Sequence, residues 1–357
     1  METLVQIQSR LSDRVHTGTR SVVSHGDCLS LLNTLPDHSV SLILTDPPYH
    51  STKKDNIYGD THFRKDAEYV SWMQSIAEEW KRILRPNGSV YVFCSSAMSA
   101  QLEVMLSTMF FPLNHITWTK PNEPGFDGWK GKMNKEALRR WYPHSERILY
   151  LESAEEGNLG RSPLGNLLRE LRKQAGLSGH QLTELIGEYG RVNHGGSVSN
   201  WETGRNIPSR GQWEKISRAI EASGNVASVP PYEDAVRPFF MASELQYVDV
   251  WDFPSVRPYR GKHPAEKPIE MLRHIIEASS YPGDIVLDCF AGSGATGVAA
   301  VESGRKAVLM EIDERWALRS AERMRRAEET GIVAPMLLTT AKLKSVPRPK
   351  LLREQLF

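Results

Sequence analysis

Cysteine is scarce in this chain: among its 357 residues there are three, Cys28, Cys94 and Cys289, each alone in an apolar segment. That spacing suits neither a disulfide framework nor a zinc site, and buried thiols in a reducing cytoplasm are the simpler expectation. Long apolar runs are missing too. No stretch approaches the ~18 residues of a membrane-spanning helix, and the opening METLVQIQSR lacks the apolar core of a signal peptide. Histidines and carboxylates show no metal-ligand spacing, so neither a metal nor a membrane is expected as a partner. Net charge is nearly absent, since 44 Lys and Arg against 43 Asp and Glu leave +1. Neutrality does not exclude a nucleic-acid partner, because charges can segregate onto one face. No internal repeat occurs.

What is present is alternation. SLILT (41–45), SVYVFCS (89–95), NHITWTK (114–120) and RILYL (147–151) read as strands, with helical spacing over 67–84 and 98–109. Arg85-Pro86-Asn87-Gly88 reads as a strong break between the first helix and the strand after it. Residues 164–221 then read as consecutive short helices without a strand. The alternation resumes with a helix over 266–279, DIVLDC (284–289), a helix from Gly294, KAVLME (306–311) and a helix near 313–328. Such alternation predicts an α/β fold with a parallel, helix-covered sheet, interrupted by an all-α module. The expected division is 1–151 for the first part of the α/β domain, 152–259 for the insertion, 260–330 for the second part and 331–357 for a basic, irregular tail.

Two segments carry chemistry. VLDCFAGSGATGVAA (286–300) sets Gly292, Gly294 and Gly297 between a strand and a helix, where glycine lets the backbone approach a ligand at the helix start. Glu311, 19 residues after Gly292, ends the next strand, where a carboxylate can accept both hydroxyls of a ribose. On this segment alone NAD and S-adenosylmethionine are equally served. The second segment is Asp46-Pro47-Pro48-Tyr49, directly after a buried strand. Pro-Pro ends strands well, but the framing carboxylate and ring ask for more. The Pro47 carbonyl beside the Asp46 carboxylate makes two acceptors for the two hydrogens of an exocyclic amine. Holding both directs the nitrogen lone pair at an electrophile. Tyr49 offers a flat face for a base taken out of a duplex.

These residues resemble the amino-methyltransferases of DNA, which use S-adenosylmethionine. The catalytic tetrapeptide of that family reads D-P-P-Y here, and its F-x-G-x-G loop reads Phe290-Ala291-Gly292-Ser293-Gly294. The catalytic motif comes first and the cofactor loop last, the circular order of the family's β group. Gly26-Asp27, His263-Pro264 with Lys267-Pro268, and HSERILY (144–150) resemble three further family elements. The resemblance covers about 1–151 and 260–325. It implies a Rossmann-like methyltransferase domain with catalytic residues Asp46, Pro47, Pro48 and Tyr49. It also implies S-adenosylmethionine held by Asp27, His263, Lys267, Phe290, Gly292, Ser293, Gly294, Thr296 and Glu311. In the family, Asp27's counterpart lies by the cofactor's adenine and the H-P-x-x-K-P element helps bind its methionine part. An aspartate before the prolines is usual for adenine N6 and a serine for cytosine N4, so adenine is the expected target.

Residues 167–187 and 195–220 resemble the helix-turn-helix of phage-repressor-type regulators, through LLRELRKQAGLS, SVSNWETG and Ile207-Pro208. The module is expected over about 162–222, with a longer link, EYGRVNHGG, than that family's tight turn. The resemblance implies duplex DNA as partner, with Ser197, Ser199 and Asn200 near bases and Arg205 at a phosphate. Trp201 and Glu202 are expected to brace the module. Lys53 and Lys54, after the catalytic motif, are further candidates for DNA contact. Members of the methyltransferase family often pair, which makes a homodimer an expectation. The rivals are cytosine-N4 methylation, a regulator with an inactive methyltransferase domain, an amine methyltransferase of RNA or protein, and an NAD-dependent oxidoreductase.

Overall fold

A computed structural model describes residues 4–50, 63–120, 139, 144–154, 162–188, 196–240 and 248–330. Helix α1 (Leu4–Arg10), strands β1 (Arg14–Thr17) and β2 (Ser21–His25) and helix α2 (Cys28–Leu32) come first. Strand β3 (Val40–Thr45), helix α3 (Asp66–Ile83), strand β4 (Leu84–Cys94), helix α4 (Ser99–Leu106) and strands β5 (Phe110–Thr119) and β6 (Ser145–Ser153) follow. Five helices come next: α5 (Pro163–Gln174), α6 (Gly179–Ile186), α7 (Ser197–Glu202), α8 (Arg210–Glu221) and α9 (Tyr232–Ala235). The order closes with β7 (Val250–Asp252), α10 (Ile269–Ser279), β8 (Ile285–Asp288), α11 (Ala295–Glu302), β9 (Lys306–Glu311) and α12 (Glu314–Glu329).

The nine strands among the described residues form one sheet, β1-β2-β9-β8-β3-β4-β6-β5-β7. Strand β3 is buried at every position, as a run without polar alternation requires at the centre of a parallel sheet covered on both faces. Strands β2, β9, β8, β3 and β4 run parallel to one another. Strand β6 is antiparallel to both β4 and β5, and β1 is antiparallel to β2. The sheet is therefore mixed, a correction to the parallel sheet expected from alternation. Strand direction is decided by cross-sheet pairing, such as Phe93 with Ile148 and Ile116 with Ile148, and local periodicity does not record it.

Helix α3 ends at Ile83, just ahead of Arg85-Pro86-Asn87-Gly88 as that break predicts, and the second correction concerns only the strand, which starts before the break and not after it. Helix α3 passes at Leu84 straight into β4, and the pairing register skips from Val40–Leu84 to Leu42–Ser89. The extra residues sit in this irregularity, where a proline costs no ladder bond. The bulge also presents Asn87, whose side-chain amide donates to the carbonyls of Glu233 (2.7 Å) and Val236 (3.4 Å).

Helices α1 to α4 cover one face of the sheet and α10 to α12 the other, each over its own apolar core. In α3 the buried residues Tyr69, Met73, Ile76, Ala77, Trp80 and Ile83 recur at helical spacing. All three cysteines are free and buried, and burial pushes the Cys94 and Cys289 thiols up to about 12. No helix among the described residues is long and apolar enough to cross a membrane.

Helices α5 to α8 share a separate core of Leu168, Leu182, Val198, Trp201, Trp213 and Ile216. Isolated helices shorter than ~12–15 residues are marginal in water, so packing must hold these. Each large side chain fully buried there contributes roughly 1.5–3 kcal/mol. Ser162, Ser178 and Ser209 cap three of the helices, the last two in reciprocal boxes with Gln181 and Gln212. Trp201 and Glu202 brace the cluster as expected. Glu202 is buried and lies 2.5 Å from Arg172 and 3.5 Å from Arg169.

Candidate active site

Strands β3 and β8 are parallel neighbours, pairing Leu42 with Val286 and Ile43 with Leu287. Their carboxyl ends therefore open side by side, where open α/β sheets bind ligands. The Asp46–Tyr49 turn leaves one and the glycine loop leaves the other. A buried hydrogen bond ties them at the root, from the Thr45 hydroxyl to Asp288 Oδ1 at 2.8 Å, and the same oxygen accepts from Phe290 N at 3.1 Å. Burial pushes Asp288 up to about 6, against the hydrogen bonds from Thr296 and Thr45.

Asp46 sits in a compact charged group. The Lys267 ammonium donates to Asp46 Oδ2 at 2.5 Å and lies 3.5 Å from Glu146 Oε2. Glu146, on β6, accepts the Tyr49 hydroxyl at 2.7 Å and also bonds Lys120. The Lys267 ammonium stands 5.2 Å from the Tyr49 ring centre and 5.1 Å from that of Phe93, within cation–π range. Asp46 Oδ1 is buried without a hydrogen-bond partner among the described residues.

The electrostatics follow from that geometry. Burial alone would raise Glu146, but Lys267 and Lys120 overcome it and hold the carboxyl at about 2. Burial would lower Lys267, yet Asp46 and Glu146 keep the ammonium above its ordinary range. Burial lifts the Asp46 carboxyl, and Lys267 opposes that lift through a short charge-assisted bond. Burial, with Asp46 and Glu146 nearby, also raises the Tyr49 hydroxyl, which stays a donor.

The glycine loop is built as its sequence requires. Gly292 and Gly294 have φ of 49° and 77°, the left-handed region that favours glycine. Glu311 accepts Gly292 N at 2.7 Å and Asp313 N at 2.8 Å, one on each oxygen, and burial raises its carboxyl. Its own carbonyl accepts Gly26 N at 2.9 Å, which brings the neighbouring Asp27 to the loop. Asp27 caps α2, accepting the Ser30 amide and hydroxyl at 3.0 Å each. A Cβ on Gly292 would stand 3.1 Å from His263 Cε1. His263 meets Trp316 edge to face at 4.5 Å, and burial followed by Lys267 holds its imidazole down at about 4. Ser293 and Thr296 are buried at the start of the loop and helix, and the Phe290 ring rests on Trp72 at 5.6 Å.

Of the residues expected at a cofactor, Asp27, His263, Phe290, Gly292, Ser293, Gly294, Thr296 and Glu311 gather along this edge. Lys267 instead gives its ammonium to Asp46 and Glu146. Of those expected at DNA, Lys53 and Lys54 lie outside the described residues. Ser199 and Arg205 are exposed on or just after α7, and Asn200 is half-buried. The Ser197 hydroxyl is spent on the Glu188 carbonyl at 2.9 Å. Sequence reasoning missed Glu146, Lys120 and Phe93. HSERILY contains Glu146, but its partners Tyr49 and Lys267 are 97 and 121 residues away in sequence, so no local pattern pairs them.

The chain is similar to known DNA methyltransferases. The DNA adenine methyltransferase YhdJ of Escherichia coli (strain K12) is 26% identical over 297 residues, 82% of this chain and 79% of that one. The type II methyltransferase M.BglII of Bacillus subtilis is 24% identical over 307 residues, 82% of this chain and 66% of that one. The solved structure of the PvuII DNA methyltransferase, cytosine-N4-specific, shares the fold at a TM-score of 0.52 and 17% identity, covering 90% of this chain and 95% of that one. The description of the N6_N4_Mtase family, DNA methylase, matches residues 40–322, from the strand that delivers Asp46 to the helix beyond Glu311. By that match, across the Asp46–Tyr49 turn, the glycine loop and the sheet joining them, the chain belongs to the N6/N4 DNA methylase family.

Proposed function

We propose that this protein transfers a methyl group from S-adenosylmethionine to N6 of an adenine flipped out of duplex DNA, with the motif order of the β group. The observation that carries the reading is the Asp46 carboxylate. One of its oxygens is anchored by Lys267, and the other is buried and unpartnered among the described residues beside the Tyr49 ring.

An exocyclic amine would donate one hydrogen to Asp46 Oδ1 and the other to the Pro47 carbonyl. Its ring would stack on Tyr49, whose plane is pinned at the hydroxyl by Glu146. Lys267 keeps Oδ2 occupied, so the carboxylate presents one defined acceptor. This is positioning and electrostatic stabilisation, with no covalent enzyme intermediate. The methylated nitrogen sheds a proton toward Asp46, whose carboxyl burial has already lifted. S-adenosylmethionine supplies an electrophilic methyl on a sulfonium. The residues present fit it: the left-handed loop turn at Gly292 and Gly294, and Glu311 with acceptor capacity beyond its two amide bonds.

Residues 162–222 act as a helix-turn-helix for duplex DNA within an insertion over 152–259, between methyltransferase parts 1–151 and 260–330. The separate apolar core and serine caps of α5 to α8 support this. Ser199 and Asn200 face bases and Arg205 a phosphate, while Ser197 serves the module itself. Residues 331–357 form a basic tail, and the protein works in the cytoplasm as a homodimer. The test is purified protein with labelled S-adenosylmethionine and mixed-sequence duplex DNA, followed by nucleoside separation. Label in N6-methyladenine is expected. Label in N4-methylcytosine overturns the base assignment, and no label despite bound cofactor overturns the enzyme.

A further inference from the structure

His50 directly follows Tyr49 and holds its backbone at φ 53°, in the left-handed region that residues other than glycine rarely adopt. Such a conformation persists where surrounding structure over-determines it. Here the surroundings are explicit. The imidazole is stacked on Tyr69 at 5.3 Å and 12°, and its edge meets Phe63 at 5.9 Å. Nε2 lies 3.2 Å from Asp66 Oδ1 in the first turn of α3, and the ring side chain is 9% exposed. Tyr69 and Phe63 both pack on Trp72, at 5.9 and 5.2 Å, and Trp72 reaches Phe290 of the glycine loop. The ring is thus a peg set in an aromatic wall whose other end is the glycine loop.

Tyr49 is already tied at its far end by the hydroxyl bond to Glu146. We infer that His50 is a positioning residue for methyl transfer: its wedged imidazole fixes the end of the catalytic turn, and so the plane in which Tyr49 meets the target base. The inference rests on the proposed reaction. It assigns His50 no contact with the reacting atoms, and the effect passes through the backbone it shares with Tyr49. Asp66 contributes by orienting the imidazole through Nε2.

The test compares the full-length wild type with His50→Ala, His50→Gly, Asp66→Ala and the His50→Ala/Asp66→Ala double variant. Each is assayed for methyl transfer to duplex DNA, cofactor affinity and melting temperature. Glycine keeps the left-handed backbone without steric cost, so it separates loss of the ring from relief of the backbone. Both His50 variants are expected to lose about tenfold or more in kcat, the scale of a slightly misplaced reactant. KM for DNA and cofactor affinity are expected to change less than about twofold in both. Asp66→Ala is expected to lose less, and to add nothing to His50→Ala, the non-additivity of residues acting as one unit. Wild-type kcat in His50→Ala overturns the inference. So does a loss that tracks melting or cofactor affinity, because the role is then structural. A wild type that transfers no methyl group overturns the proposed reaction itself and takes this inference with it, an outcome read before any variant is made.

Discussion

The Asp46–Tyr49 turn and the α5–α8 cluster both hold buried ion pairs, and they are assembled in opposite ways. At the turn, Asp46, Glu146 and Lys267 come from three distant parts of the chain and meet through the sheet, from β3, from β6 and from just ahead of α10. In the helical cluster, Glu202 meets Arg172 across 30 residues, and caps, core and brace all lie within residues 162–236. A site built from distant pieces can hold a carboxylate with one oxygen unsatisfied among the described residues, because the whole sheet keeps it from relaxing. A locally built module satisfies its own groups and leaves Ser199 and Arg205 exposed.

Four variants or conditions put that contrast under strain. Asp46→Ala removes the unsatisfied acceptor, and methyl transfer should fall about 10³-fold or more while cofactor binding, measured by calorimetry, persists. Lys267→Met leaves two buried carboxylates without their shared cation. Breaking such a pair costs roughly 3–5 kcal/mol, which denaturant unfolding should register together with a deep loss of activity. If stability is unchanged, the two carboxylates do not depend on each other as described. Trp201→Ala empties the centre of the helical core, where removal of a buried tryptophan costs roughly 3–5 kcal/mol. Duplex binding should weaken strongly in this variant while cofactor affinity stays at the wild-type value. Equal damage to both would erase the distinction between the regions.

The smallest effect expected is one of pH. His263 is held at about 4 against an ordinary 6.5, so the unfolded chain binds its proton more readily than the folded one. Its contribution to stability is fully present above 6.5 and is lost as pH falls toward about 4. Melting followed across that window should show the decline, and His263→Gln should flatten it.

Much of the body was legible in local pattern. Strand β9 occupies the segment expected, and β3, β8, α11 and α12 lie within a few residues of theirs, because buried parallel strands and amphipathic helices write themselves as runs and periods. The short elements α1, β1, β2, α2 and β7 were not foreseen, since three to seven residues carry too little period to be read. Asp46 and Tyr49 were legible because they share a tetrapeptide, and Gly292, Gly294 and Glu311 because strand, turn and next strand follow in order. Glu146 was not, since its importance comes from partners on other strands.

By itself, then, the sequence determined the residue types that chemistry needs, the loops that carry them, and a helical cluster that packs on its own side chains. Only the tertiary structure decided the direction of β6, the bulge that takes Pro86 into a strand, and the assignment of Lys267 to Asp46. The reason is physical: propensity and period act between neighbours in the chain. A buried charge instead takes its state from whatever the sheet brings within a few ångströms.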